Sequence, residues 1–424
     1  MTRSMLRRQW RRREARRGRV KVSGQDSLTT HTTVTTLHGG RLTLCVAAIL
    51  AVGCASGEAD HSGDSDVPHV ELQEILRLGD SNSDGPDTFG RIGGVLLDAD
   101  GRIVVADAMN HDMRVFSENG EFLYSFAREG EGPGEVRRPC CIATGPDGAL
   151  WVRDVGNGRF NVYLTGESSA VYERTVLVPA EMAGARGLSA PLVFDDSARL
   201  VVVGRILTPE NQMLRGHGIV DDAAQAVPTL LTRTMVTEPS DDSLAVHMVR
   251  EREGGMLSVW YFYQPFGPSF VTTYAPGGDW ARAVTSVPRV ERYSVDGSLR
   301  HAIDVRISPV SLSDRERRIS DSTLTAARTR GVEIPFSTPA TKPPLAGLKF
   351  DTAGRLWVER TTADGEPREA DVFDTDGNLV MRARWPRDIR LGLESWVGSD
   401  RVVGVGSGEF NEPHVVVMRM VPVQ

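Results

Sequence analysis

Between residues 89 and 126 the chain reads FGRIGGVLLDADGRIVVADAMNHDMRVFSENGEFLYSF, in which four short apolar runs are cut by turns. Val95-Leu96-Leu97 and Ile103-Val104-Val105-Ala106 flank Asp98-Ala99-Asp100-Gly101, where glycine supplies the positive φ of a tight hairpin. Met113 to Phe116 and Phe122 to Phe126 follow, split by Glu118-Asn119-Gly120. The pattern predicts a four-stranded antiparallel meander with two apolar faces. Such a sheet cannot stand alone in water and has to pack on copies of itself.

Copies are present. The segment PCCIATGPDGALWVRDVGNGRFNVYL repeats the first, matching Asp100-Gly101 to Asp147-Gly148, Asp107 to Asp154, Asn110 to Asn157 and Val115-Phe116 to Val162-Tyr163, always at an offset of 47 residues. Weaker copies begin at Leu192-Val193-Phe194, with Gly218-Ile219-Val220 as a third strand, and at Phe270-Val271. Residues 345–384 are a clear copy. The last, 389–420, has Trp396-Val397, Arg401 to Val405 and Val415 to Met420 but lacks a fourth strand, which Val70 to Leu78 can supply.

The expected architecture is therefore all-β, a six-bladed β-propeller of four-stranded blades whose N-terminal strand completes the last blade. Residues 69–424 allow about 60 residues per blade, more than the compact repeat needs, so insertions are expected at about 236–268 and 306–344. The second holds Ser313-Asp314-Arg315-Glu316, a capping-box pattern, and predicts a short helix over 313–330 ended by Gly331 and Pro335.

The Asx-Gly turns, the VAD or VRD strand ends, the Asn three residues later and Glu131-Gly132-Pro133-Gly134-Glu135 together resemble the NHL repeat. The resemblance is specific over 89–164, moderate over 345–384 and architectural elsewhere. It implies a six-bladed propeller of the kind found as secreted or lipid-anchored bacterial proteins.

Charge divides the chain. Of 49 basic and 56 acidic residues, 1–53 hold 11 and two, a surplus of +9, which leaves 54–424 at −16. From Leu42 to Val52 runs LTLCVAAILAV. Eleven residues span roughly 16 Å as a helix against a hydrocarbon core of about 30 Å, too short to cross and suited to a secretory h-region. Ala51-Val52-Gly53-Cys54 resembles a bacterial lipobox, which implies removal of 1–53 and lipidation of Cys54, with 54–68 as a polar tether and 69–424 as the propeller. Ala55 after the cysteine favours the outer membrane. The Arg-rich residues 1–20 lie too far upstream to join this signal and read as an over-extended start. With three lysines against 46 arginines, the chain has the composition of a GC-rich genome.

Chemistry is less legible. Asp107 and Asp154 stand where a propeller metal ligand could stand, but an Asp three residues before an Asn is suited to capping the next turn. His111, His217, His247, His301 and His414 fall in different repeats without close pairing, and no Gly-x-Ser-x-Gly or phosphate-binding loop occurs. No metal or cofactor is expected; calcium or zinc belongs to an alternative reading as a lactonase, hydrolase or lyase on the same fold. Cys140-Cys141 is expected as two separate thiols on opposite faces of a strand, since adjacent Cα atoms are closer than a disulfide ordinarily spans.

Arg153, Asp154, Arg159, Arg205, Glu359 and Arg360 fall at strand ends near the central opening and are the candidate ligand-binding residues. The expected function is non-catalytic binding of a protein, peptide or glycan at the central face of a lipid-anchored envelope protein, with no nucleic acid, which a body at −16 would repel.

Overall fold

The computed structural model describes residues 67–79, 85–208, 212–221, 228–253, 256–330 and 332–423. The signal segment, Cys54, most of the tether and Gly331 lie outside them.

Four strands, Ile92–Leu97, Ile103–Asp107, Asp112–Phe116 and Phe122–Phe126, pair in order to form blade one. Blades two to five are meanders of the same kind over 139–177, 192–235, 270–304 and 345–385. Blade six is assembled from both ends of the ring. Its innermost edge is the short pair of pieces Ile389–Arg390 and Trp396–Val397, followed by Arg401–Ser407 and Pro413–Pro422. Strand β1 (His69–Leu78) then adds antiparallel to the last of these, from Val70 opposite Pro422 to Leu78 opposite Val415. The chain is a six-bladed β-propeller closed by its N-terminal strand.

Period-two alternation builds the core, because each strand sends neighbouring side chains to opposite blades. Ile103 and Val105 pack toward blade six, with Val403, Val415 and Val417, while Val104 and Ala106 pack toward blade two, with Leu150 and Val152. Buried clusters of this sort fall at all six inter-blade contacts. From β1, Val70 and Leu72 join the contact of blades five and six, whereas Leu78 joins that of blades six and one. Full burial of each such side chain contributes about 1.5–3 kcal/mol, so the closing strand is held by packing as well as by its ladder.

The first turns of blades one, three and five share one device. Asp98 accepts the Asp100 and Arg102 backbone N–H groups and the Arg102 Nε; Asp195 does so with Ser197 and Arg199, and Asp351 with Ala353 and Arg355. The spacing is Asp-x-x-x-Arg, with a left-handed residue just before the arginine. Gly101 and Gly354 fill that place at φ 78° and 76°, but in blade three it is Ala198, at φ 64°.

Both expected insertions are present. A hairpin, Val246–Glu253 with Met256–Tyr263, separates blades three and four, and helix α1 (Asp314–Thr329) separates blades four and five. Ser313 and Glu316 form the reciprocal capping box, with the Glu316 N–H donating to Ser313 Oγ at 3.1 Å and the Ser313 N–H donating to Glu316 Oε2 at 2.8 Å. Leu324 and Ala327 of α1 pack with Val249 and Phe262 of the hairpin. Because strands alternate in direction, the segment leading into each innermost strand shares a face of the ring with the turn joining second to third strands. Both insertions rise from that face, and Arg315 ties α1 to Asp364 in the second turn of blade five.

The cysteine expectation is corrected. Cys140 and Cys141 form a disulfide with their Cα atoms 3.7 Å apart. Cys141 is the extra residue of a β-bulge, skipped where Cys140 pairs with Arg153 and Ile142 with Val152, and its φ is 51°. The bulge cancels the alternation that would have sent the two sulfurs to opposite faces. On blade one, Gly93 and Gly94 give it room: a Cβ on Gly93 would lie 2.3 Å from the Pro139 carbonyl oxygen, and one on Gly94 3.0 Å from the Cys141 nitrogen.

Candidate functional site in the central cavity

A cavity of about 960 Å³ runs through the middle of the ring and is lined from every blade, for example by Leu96, Ile142, Val193, Thr272, Leu348 and Trp396. Its mouth on the insertion-bearing face is charged, with Arg215 from blade three, Glu359 and Arg368 from blade five and Arg390 from blade six. At the opposite mouth stand the turn carboxylates of Asp195 and Asp351. Cys141 lines this cavity, and Cys140 lines a smaller adjoining pocket of about 290 Å³ that also includes Glu394.

Three of the strand-end candidates are engaged within the fold. Arg153 is buried, and its guanidinium donates to the carbonyls of Ala185 at 2.8 Å, Val203 at 3.0 Å and Ala190 at 3.4 Å while lying over Phe160. It holds blade two against blade three, and burial lowers its pKa to about 10. Asp154 is fully buried and accepts from the Arg137 N–H, Asn157 Nδ2 and Arg159 Nε. Arg159 in turn donates to the carbonyls of Glu131, Gly132 and Glu135, fixing the Glu-Gly-Pro-Gly-Glu loop.

Asp107 repeats the arrangement in blade one, accepting from the N–H groups of Gly90, Arg91, Met109 and Asn110 and from Asn110 Nδ2. Burial raises its pKa, but the backbone donors outweigh burial and hold it below the ordinary carboxylate value. The conserved spacing of Asp and Asn between the two copies thus caps the turn and also clasps the segment entering the innermost strand.

Of the others, Arg205 has an exposed side chain that makes no hydrogen bond or ion pair among the described residues, and Arg360 donates to Asp371 at 3.5 Å and to the Arg306 carbonyl at 3.2 Å. Glu359 alone of the six lines the cavity. It stands opposite Gly347 of the innermost strand, where a Cβ would lie 3.3 Å from Glu359 Oε2, and it accepts from Arg368 Nη1. Burial raises its pKa, with Arg368 only partly reversing the effect.

The residue that strand-end reasoning missed is Lys349. It lies two positions after Gly347 and donates through Nζ to the carbonyls of Gly392 at 2.9 Å and Ser395 at 2.6 Å on blade six. The side chain is half-buried and lines the cavity, and burial, opposed by Glu394, lowers its pKa to about 8. A lysine on an innermost strand that otherwise reads apolar, in a chain with three lysines, was the available signal. Among the described residues no group of three or more His, Cys, Asp or Glu side chains is placed to hold a metal ion.

The fold and this axial cavity define the chain as a six-bladed propeller with a ligand-sized central chamber. A family model described as a 6-bladed beta-propeller matches residues 88–142. The adipocyte plasma membrane-associated protein of Rattus norvegicus is 36% identical over 104 residues, which is 22% of this chain and 24% of that protein. The human protein is 35% identical over the same length, 22% of each chain. This chain thus spans about a quarter of the length of the curated relatives it matches. Among solved structures, a gluconolactonase from Xanthomonas campestris is similar at 13% identity and TM-score 0.36, covering 84% of this chain and 98% of that one. Virginiamycin B lyase from Staphylococcus aureus is similar at 10% identity and TM-score 0.35, covering 84% and 96%.

Proposed function

We propose that the chain is a non-catalytic binding module of the cell envelope, anchored through lipid on Cys54, that takes a protein, peptide or glycan ligand at the central face of its propeller. The cavity carries this reading: it is large enough to enclose a small ligand or the end of a larger one, it is shared by all six blades, and its charged mouth lies on the face bearing both insertions. Apolar walls with a few placed polar groups are the usual composition of a binding site. Anchoring is supported by the lipobox resemblance and by the polar stretch that follows it. No helix among the described residues is long and apolar enough to cross a membrane.

Thermal-shift screening of the chain against peptides, glycans and small organic ions tests the binding claim. A ligand that raises the midpoint in the wild type, but not in an Ala143→Trp variant that fills the chamber, supports it. Metal-dependent turnover of lactones or esters by the purified chain would overturn it in favour of an enzyme. For the anchor, palmitate labelling that disappears in Cys54→Ala is expected, and labelling that persists would refute it.

A further inference from the structure

We propose that the cavity wall built by blades five and six is a carboxylate-binding site, and that its ligand is a sugar acid. The proposal rests on the reading of the cavity as a ligand site and names the chemistry that the site selects.

Register and hydrogen bonds bring the relevant groups onto one wall. Glu359 pairs with Gly347, Lys349 follows two residues later on the same side of that strand, and Lys349 Nζ bonds the Gly392 carbonyl, two residues after Arg390. Three cations, Lys349, Arg368 and Arg390, therefore face this part of the chamber together with the carboxylate of Glu359, and Glu394 stands beside Lys349. In a body at −16 this is a local reversal of sign, held where low dielectric strengthens it.

The cations retain donors. An ammonium has three, and Lys349 uses two on carbonyls. The Arg390 side chain makes no hydrogen bond or ion pair among the described residues although it lines the cavity. A guanidinium and an ammonium on one wall suit a carboxylate, which accepts through two oxygens.

The rest of the lining points to a hydroxylated skeleton. Thr144 and Thr272 offer hydroxyl groups, and Trp396 offers an aromatic surface against which the C–H face of a sugar ring can pack. Glu359, with its pKa raised, can exchange hydrogen bonds with a ligand hydroxyl as acceptor or, when protonated, as donor.

Titration calorimetry of the full chain with D-galacturonate and with D-galactose, which has a CH₂OH in place of the carboxylate, tests the idea. The acid is expected to bind at least about tenfold more tightly than the neutral sugar, the scale of one lost charge-assisted contact. Arg390→Ala, an exposed residue whose loss leaves the fold intact, should erase that preference, and Lys349→Met should do the same if it folds. Equal binding of acid and neutral sugar, abolished by Ala143→Trp, would overturn the carboxylate site while leaving the cavity reading standing. Undiminished galacturonate binding by Arg390→Ala would overturn it as well. Absence of binding by sugars, peptides and organic ions alike would overturn both.

Discussion

Arg153 and Glu359 hold the same place in blades two and five, one residue from the end of the second strand, and they do opposite things. Arg153 stands opposite Cys140, and its guanidinium is enclosed among carbonyls of the neighbouring blade. Glu359 stands opposite Gly347, which has no side chain, and its carboxylate borders the central chamber. The innermost strand thus decides whether a charged strand end serves the fold or borders the central chamber. A bulged disulfide in one blade and a glycine in the other produce the two outcomes.

The largest expected effect separates the pair by stability. Arg153→Ala leaves three buried carbonyls without their donor and should cost about 3–5 kcal/mol. Glu359→Gln keeps the shape and removes a charge that burial already disfavours, so it should cost about 1 kcal/mol or less. Urea denaturation of both variants measures the difference, and a larger loss for Glu359→Gln would break the comparison.

Next comes pH. Lys349 has a pKa lowered to about 8, so its ammonium is present at neutral pH and is lost as pH rises through that value. Galacturonate affinity should therefore fall between pH 7 and 9. Glu394 stands beside the same amine from blade six and Glu359 lines the chamber from its own blade, so loss of the ammonium leaves two acidic side chains near the ligand carboxylate and they do not oppose the trend. Calorimetry at the two pH values reads this directly, and a rise in affinity would contradict the role given to Lys349.

A smaller effect compares the first turns. Ala198 holds at φ 64° the position that glycine holds in blades one and five. Ala198→Gly should stabilise the chain by about 1 kcal/mol, since a left-handed conformation costs a residue with a Cβ about that much. An unchanged or lowered denaturation midpoint would show that the strain is relieved elsewhere.

The smallest concerns the disulfide. A bond between adjacent residues closes almost no loop, so its reduction should change stability by less than about 1 kcal/mol. Alkylation of the denatured, unreduced chain should leave Cys140 and Cys141 unlabelled, and two labels there would refute the bond.

Much of the fold was readable because it is periodic. Repeated Asx-Gly turns located the blades, the missing fourth strand pointed to Val70–Leu78, and Ser313 with Glu316 marked the start of α1. What escaped was set by contacts between repeats. Nothing in the residue type of Cys141 announces a left-handed bulge, and the room for it comes from Gly93 and Gly94 on another blade. Asp154 was conspicuous because the repeat displays it and Arg153 because its charge stands just before Asp154 at the strand end, yet their partners are structural. Lys349 was inconspicuous because its role depends on carbonyls of blade six, more than 40 residues away.

The most direct test is a crystal structure of the chain soaked in D-galacturonate. The account predicts the sugar inside the central chamber, with its carboxylate within hydrogen-bond distance of Lys349 Nζ or the Arg390 guanidinium. A sugar bound at the mouth formed by Asp195 and Asp351, or outside the chamber altogether, would contradict it.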